Sequence, residues 1–63
     1  MTTNEWNVIS KKARRYVKPT LGGPDAEAAV RAIIAWEWVN PDASEARRGG
    51  AWARIVGQAR ASY

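Results

Sequence analysis

Between Ala26 and Val39 the chain carries only three charges, Glu27, Arg31 and Glu37, and is otherwise almost entirely alanine, valine, isoleucine and tryptophan. Such a stretch reads as a helix with almost no polar side, and a helix that is apolar all round must be covered all round. The whole chain has 63 residues, too few to provide that cover comfortably from within. The segment therefore predicts a partner, a second copy or a membrane surface.

Length sets the remaining limits. One domain, residues 1–63, is all that fits, and a domain of about 60 residues buries only about 60% of its unfolded surface. Cores this small are usually stapled by disulfides, metal or oligomerisation. There is no Cys and no His, so a disulfide cannot form and the usual zinc ligand sets cannot be assembled. No metal and no cofactor is expected, which leaves oligomerisation or unusually good tryptophan packing. The start, Met-Thr-Thr-Asn-Glu-Trp, lacks the basic residues and apolar run of a signal peptide, and no segment approaches a spanning length. The expectation is a soluble, cytoplasmic chain. Its Ala, Arg, Gly and Trp usage suits a GC-rich bacterial or phage genome.

Punctuation divides the chain into three helices, about 4–18, 24–39 and 43–61, in an all-α three-helix bundle expected to self-associate. Thr3 or Asn4 can cap the first, and Pro19 disfavours a helical conformation at Lys18. Leu21, Gly22 and Gly23 connect to the second helix, where Pro24 suits the first helical position and Asp25 and Glu27 sit near the positive end of the dipole. Glu27 and Arg31 have the spacing of a supporting pair. Asn40 and Pro41 signal a turn, and Asp42 with Glu45 has approximate capping-box spacing before the third helix. That helix is either continuous through Gly49-Gly50 or broken there. Strand-like alternation and internal repeats are absent.

The formal charge of +4 is concentrated at the ends. In the first helix Trp6, Ile9, Ala13, Tyr16 and Val17 share one side at 100° per residue, while Lys11, Lys12, Arg14, Arg15 and Lys18 spread over the other. Many surface helices look this way. Yet five cations within eight residues, with no acid among them, also form a surface suited to polyanions, where neutralised phosphates release counterions. An anionic lipid surface offers a similar match to a basic amphipathic helix with a Trp.

The second helix has two apolar stripes. Ala29, Ala32, Ile33, Trp36 and Val39 read as the internal core, whereas Val30, Ile34 and Trp38 recur on the other side and read as an interface left exposed in a compact monomer. The alternative is that the third helix and the termini wrap round to cover them. In the third helix, Trp52, Ile55, Val56, Ala59 and Tyr63 form an apolar stripe. Gly49, Ala53, Gly57 and Ala61 form a row of small residues that could admit another backbone, with Ala28, Ala32 and Ala35 as a matching surface. A break at Gly49-Gly50 would instead free backbone amides beside Arg47 and Arg48 for an anion.

Catalysis finds little support. Without His or Cys the common nucleophile and general-base arrangements are missing, and Ser10, Ser44 and Ser62 have no evident partner. Four of the six carboxylates, Asp25, Glu27, Asp42 and Glu45, sit where helix starts favour negative charge. Neither glycine pair has the flanks of a phosphate loop or dinucleotide fingerprint. A non-enzymatic binding protein is expected.

The leading expectation is a self-associating protein that uses Val30, Ile34 and Trp38 as its interface and contacts nucleic-acid phosphates through Lys11, Lys12, Arg14, Arg15, Lys18, Arg47 and Arg48. The turn from Asn40 to Ser44 has no Gly and does not match a helix-turn-helix well. The first alternative is a protein-interaction module, such as a small inhibitor, assembly or adaptor protein, anchored by Trp38 or Trp6. The second follows from a resemblance: a short, basic, cysteine-free, tryptophan-rich chain resembles the leaderless cationic bacteriocins, which implies a membrane-active antimicrobial peptide. Its excess of Arg over Lys, six acids and three prolines depart from that class.

Overall fold

The structure, a computed structural model, describes residues 2–61. Three helices, α1 (Thr3–Val17), α2 (Gly23–Val39) and α3 (Glu45–Ala61), form an all-helical bundle with no strand among the described residues. α2 occupies the middle, with α1 and α3 packed against it. α1 and α3 meet through Tyr16 and Trp52, whose rings contact edge to face at 5.5 Å and 74°, a geometry the aromatic quadrupole favours.

Local chemistry explains the boundaries. Thr2 caps α1, its Oγ1 accepting the Glu5 N–H at 3.2 Å, so the cap lies just before the expected Thr3 or Asn4. Beyond Val17 the chain turns tightly, with the Thr20 and Leu21 amides donating to the Val17 carbonyl at 3.0 Å each. This turn tucks Leu21 into the core. Gly23 opens α2 with φ +58°, a conformation that disfavours any residue with a Cβ, and Pro24 follows in the first turn as expected. At the other end Asn40 closes α2 through two bonds to the Trp36 carbonyl, from its backbone N–H at 3.0 Å and its Nδ2 at 2.9 Å.

The cap of α3 differs from expectation. Ser44 Oγ accepts the Arg47 N–H at 3.2 Å, whereas the Asp42–Glu45 spacing pointed to Asp42. The turn after α2 is the reason: the Ala43 N–H donates to the Asn40 carbonyl at 3.2 Å, so residues 41–43 are still turning and the helix begins at Glu45. α3 then runs unbroken through Gly49-Gly50. The backbone amides there belong to the helix ladder, so the expected anion site at a chain break does not form.

The core contains Ala13, Val17, Leu21, Ala29, Val30, Ile33, Ile34 and Val56, with Ile9, Ala26, Trp52, Ile55 and Ala59 packed partly against it. Of the apolar side expected for α1, Ala13 and Val17 are buried and Ile9 partly so, whereas Trp6 and Tyr16 are exposed at its margins. In α3 Trp52, Ile55, Val56 and Ala59 face the core as expected, and Tyr63 of that stripe lies outside the described residues. α2 differs. Its buried residues are Ala29, Val30, Ile33, Ile34 and Glu37, taken from both expected stripes, while Ala32, Trp38 and Val39 are exposed and Trp36 is half-buried. A middle helix with neighbours on two flanks buries a broad arc, roughly half its circumference at 3.6 residues per turn. That arc is centred between the two stripes. Val30 and Ile34, at 3% and 6% exposure, are therefore internal rather than laid open.

The covering problem posed by an all-apolar helix is solved by side-chain size. Ala28, Ala32 and Ala35 face solvent, where alanine leaves little apolar area exposed and favours helix strongly. The row Gly49, Ala53, Gly57 and Ala61 also faces outward, and a Cβ placed on Gly49, Gly50 or Gly57 would meet nothing within 4 Å. The expected close approach of α2 and α3 across small residues is thus absent, and larger side chains set their separation.

Candidate functional site

The cations form two groups with different surroundings. On α1, Lys11, Lys12, Arg14, Arg15 and Lys18 are all exposed, because Ala13 and Val17 turn the opposite side of the helix into the core. Arg14 alone among them pairs with a carboxylate, Glu27 of α2. Glu27 thus bridges to α1 in place of the expected Arg31. Both side chains of the bridge are more than half exposed, so it contributes little to stability. Over α1, the sequence Lys11 to Lys18 spans about 10 Å at 1.5 Å per residue, presenting a compact row of positive charge.

Arg47 and Arg48 lie near the junction of α2 and α3, where Arg47 is exposed but engaged by its neighbours and Arg48 is partly buried. The Arg47 guanidinium stands 5.9 Å from the centroid of the Trp36 ring, within cation–π range, and its Nη2 donates to Asn40 Oδ1 at 3.3 Å. It thereby places positive charge at the C-terminal end of α2, where the dipole favours it. Arg48 turns inward, with Nε 3.2 Å from Oε1 of Glu37. Consecutive helical residues point about 100° apart, which separates the two arginines onto different partners.

Glu37 is the residue that sequence reasoning missed. At 2% exposure it is the only charged residue in the buried set among the described residues. Its Oε2 has no hydrogen-bond partner, and neither do Arg48 Nε and Trp52 Nε1. Ion proximity without alignment explains how Arg48 Nε can lie near Oε1 and still leave its N–H unmatched. Glu37, Lys12, Glu45, Arg48, Gly49, Trp52 and Ile9 line a small open pocket of about 230 Å³. A signal for Glu37 existed, since it follows Val30 by seven positions and Ile33 by four, on the face that those residues bury.

A second feature is apolar. Trp6, 44% exposed, and Trp38, 57% exposed, line one groove of about 480 Å³ between α1 and α2, with Val30 and Ile34 also in its lining and Arg14, Glu27 and Arg31 contributing charge. The expected interface residues Val30, Ile34 and Trp38 are thus brought together, joined by Trp6, but only the tryptophans present much surface. A wider groove of about 860 Å³ continues along the same two helices, sharing Arg14, Glu27 and Val30 and extending to Lys18 and Pro24.

Among the described residues no cluster of carboxylates suited to a metal is present, and no helix is long and apolar enough to cross a membrane. No protein-family profile, curated protein or solved structure matches this chain.

Proposed function

We propose that this chain is a small, non-enzymatic binding module that contacts nucleic-acid phosphates through the exposed face of α1. The observation that carries the reading is that Lys11, Lys12, Arg15 and Lys18 stand on one solvent-facing helix side and form no ion pair among the described residues. Arg14 adjoins them but is shared with Glu27. Arg47 and Arg48 contribute less to such a surface, because Trp36, Asn40 and Glu37 already engage them. Phosphate neutralisation of this kind gives affinity without sequence preference.

The test is salt dependence. Four phosphate contacts imply a log–log slope of about −3.6, so raising salt from about 50 to 200 mM should weaken duplex binding roughly 150-fold. Replacing Arg15 and Lys18 with Gln should reduce the slope by about 1.8. Affinity that does not change over this range, or a slope untouched by the substitutions, rules out the reading.

A second reading, a protein-interaction module or a self-associating chain, is favoured by the exposed Trp38 and Trp6. Val30 and Ile34 can add little to such an interface because the bundle already buries them. Sedimentation of the wild type beside Trp38→Glu distinguishes this reading, which requires an assembly that the substitution disperses.

A further inference from the structure

The core leaves Trp6 44% and Trp38 57% exposed, and both line the α1–α2 groove. Large apolar rings gathered in one groove are characteristic of an interaction site. The charge around them indicates what kind of occupant fits. Arg14 and Arg31 line the groove; Glu27 is there too, but Arg14 neutralises it. Arg14 also sits three residues after Lys11 and four before Lys18, so it lies on the same helix face as both. The aromatic groove therefore opens onto the edge of the basic row.

An occupant that matches both parts needs flat faces to stack on tryptophan and regularly spaced negative charge beside them. A duplex has the charge but keeps its bases stacked internally. An apolar helix from a partner protein fills a groove but carries no regular row of anions. A single nucleic-acid strand has both, since every unpaired base offers a π face and every residue a phosphate.

We propose that the α1–α2 groove takes unpaired bases of single-stranded nucleic acid, stacked on Trp6 and Trp38, while Lys11, Arg15 and Lys18 hold the adjoining phosphates. This rests on the reading of α1 as a phosphate-binding face and adds the strand form that it selects. Stacking tolerates any base, so the groove discriminates single from double strands rather than one sequence from another.

The experiment compares fluorescence anisotropy of labelled oligo(dT) and of a duplex of matched length, using the full chain at fixed salt. The wild type should bind oligo(dT) more tightly than duplex. Trp38→Ala should weaken oligo(dT) roughly 5- to 150-fold, the range for loss of one base–aromatic stack, and leave duplex binding unchanged. Trp38→Phe should restore most of the loss. Trp38→Leu, which keeps apolar bulk but has no ring, should not restore it; thermal melts of both variants establish that they fold alike.

Equal loss for both nucleic acids, or full activity of Trp38→Leu, overturns the groove assignment while leaving the phosphate-binding reading intact. So does a dimer that Trp38→Ala converts to monomer with oligo(dT) affinity unchanged, which would give the groove to a second copy. Absence of binding to either nucleic acid overturns both the groove assignment and the reading beneath it.

Discussion

Breaking the Glu37–Arg48 pair from one side should be far more damaging than removing it altogether. Glu37 is 2% exposed, its Oε1 is 3.2 Å from Arg48 Nε, and its Oε2 has no hydrogen-bond partner. Arg48→Ala leaves the carboxylate inside the bundle without its counter-charge. Loss of one partner from a buried pair costs about 3–5 kcal/mol. The Arg48 side chain is 34% exposed, so truncation admits water toward Glu37, and about 2–3 kcal/mol is the expected loss on that account. At about 0.05–0.15 kcal/mol per residue, a chain of this size has roughly 3–9 kcal/mol in total. The variant should therefore lose between about a fifth and all of its stability and melt roughly 10–20 °C lower. Glu37→Leu combined with Arg48→Met removes both charges and the unmatched Oε2, and should be neutral or up to about 4 kcal/mol stabilising. Urea titrations followed by far-UV circular dichroism, with unchanged m-values, measure each difference. Arg54→Ala, at an exposed site on the same helix, is the control. If Arg48→Ala is no more destabilising than this control, or if the double variant is as unstable as Arg48→Ala, then Glu37 is not held as a buried charge and the reasoning fails.

Three further outcomes test the fold. Gly49→Ala and Gly50→Ala should each stabilise by about 0.5–1 kcal/mol, because both sites are helical and a Cβ meets nothing there; Gly23→Ala should destabilise by about 1–2 kcal/mol because of its φ of +58°, and thermal melts in which all three shift the same way would contradict this. Ser44→Ala should cost about 1 kcal/mol through loss of the α3 cap, whereas Asp42→Ala should have a smaller effect, measured in the same melts. Ile33→Ala, at the largest fully buried side chain, should cost about 2–5 kcal/mol, read as a melting midpoint lowered by roughly 10 °C or more in circular dichroism; a cooperative melt within a few degrees of wild type would contradict the central placement of α2.

The parts of this fold that were legible in the sequence are those that local rules decide. The Asn40-Pro41 pair marks where α2 ends, and α1 ends just before Pro19 although Lys18 keeps a helical φ of −52° and ψ of −42°, contrary to the expected effect of the proline. The two faces of α1 separate because its cations and apolar residues occupy different sides. In α3 the stripe of Trp52, Ile55, Val56 and Ala59 had the right spacing but competed with the small-residue row Gly49, Ala53, Gly57 and Ala61, and only the packing shows that the stripe faces the core while the row faces outward. α2 resisted because apolar residues on nearly every side remove the contrast that assigns a face, and only the positions of α1 and α3 decide that Ala29, Val30, Ile33, Ile34 and Glu37 turn inward. Glu37 had core spacing, but its charge masked that spacing, and the partner that makes burial tolerable comes from a helix whose orientation the sequence does not state. Ser44 and Asp42 both suit a helix start. The choice between them depends on how far the turn after Asn40 continues, which is a tertiary outcome. For the candidate site, the basic row on α1 could be read directly, whereas the meeting of Trp6 with Trp38 required the packing of two helices.

The arrangement separates the residues that hold the bundle from exposed cations without a partner in it among the described residues. Arg47 and Arg48 act within the fold, one on Trp36 and Asn40 and the other on Glu37, and Arg14 joins α1 to α2 through Glu27. Lys11, Arg15 and Lys18 have no such role among the described residues. Their spacing is mildly unfavourable for an isolated helix, since Lys11 with Arg15 and Arg14 with Lys18 are like charges four residues apart, each pair costing about 0.2–0.5 kcal/mol. Arg14 and Arg15 in the last turn of α1, with Lys18 at its C-cap, are favoured there by the helix dipole, so the row is compatible with a purely solvated face, and a polyanion laid along it would in addition relieve the repulsion. Substitutions at Lys11, Arg15 and Lys18 should therefore cost the bundle little, which makes them the clean test of the proposed phosphate contacts, while those at Glu37, Arg48 and Ile33 act on the bundle. Arg14 lies on the boundary: it is tied to Glu27, belongs to the basic row and lines the groove that holds Trp6 and Trp38, so under the proposed reading a change at Arg14 should alter both stability and binding.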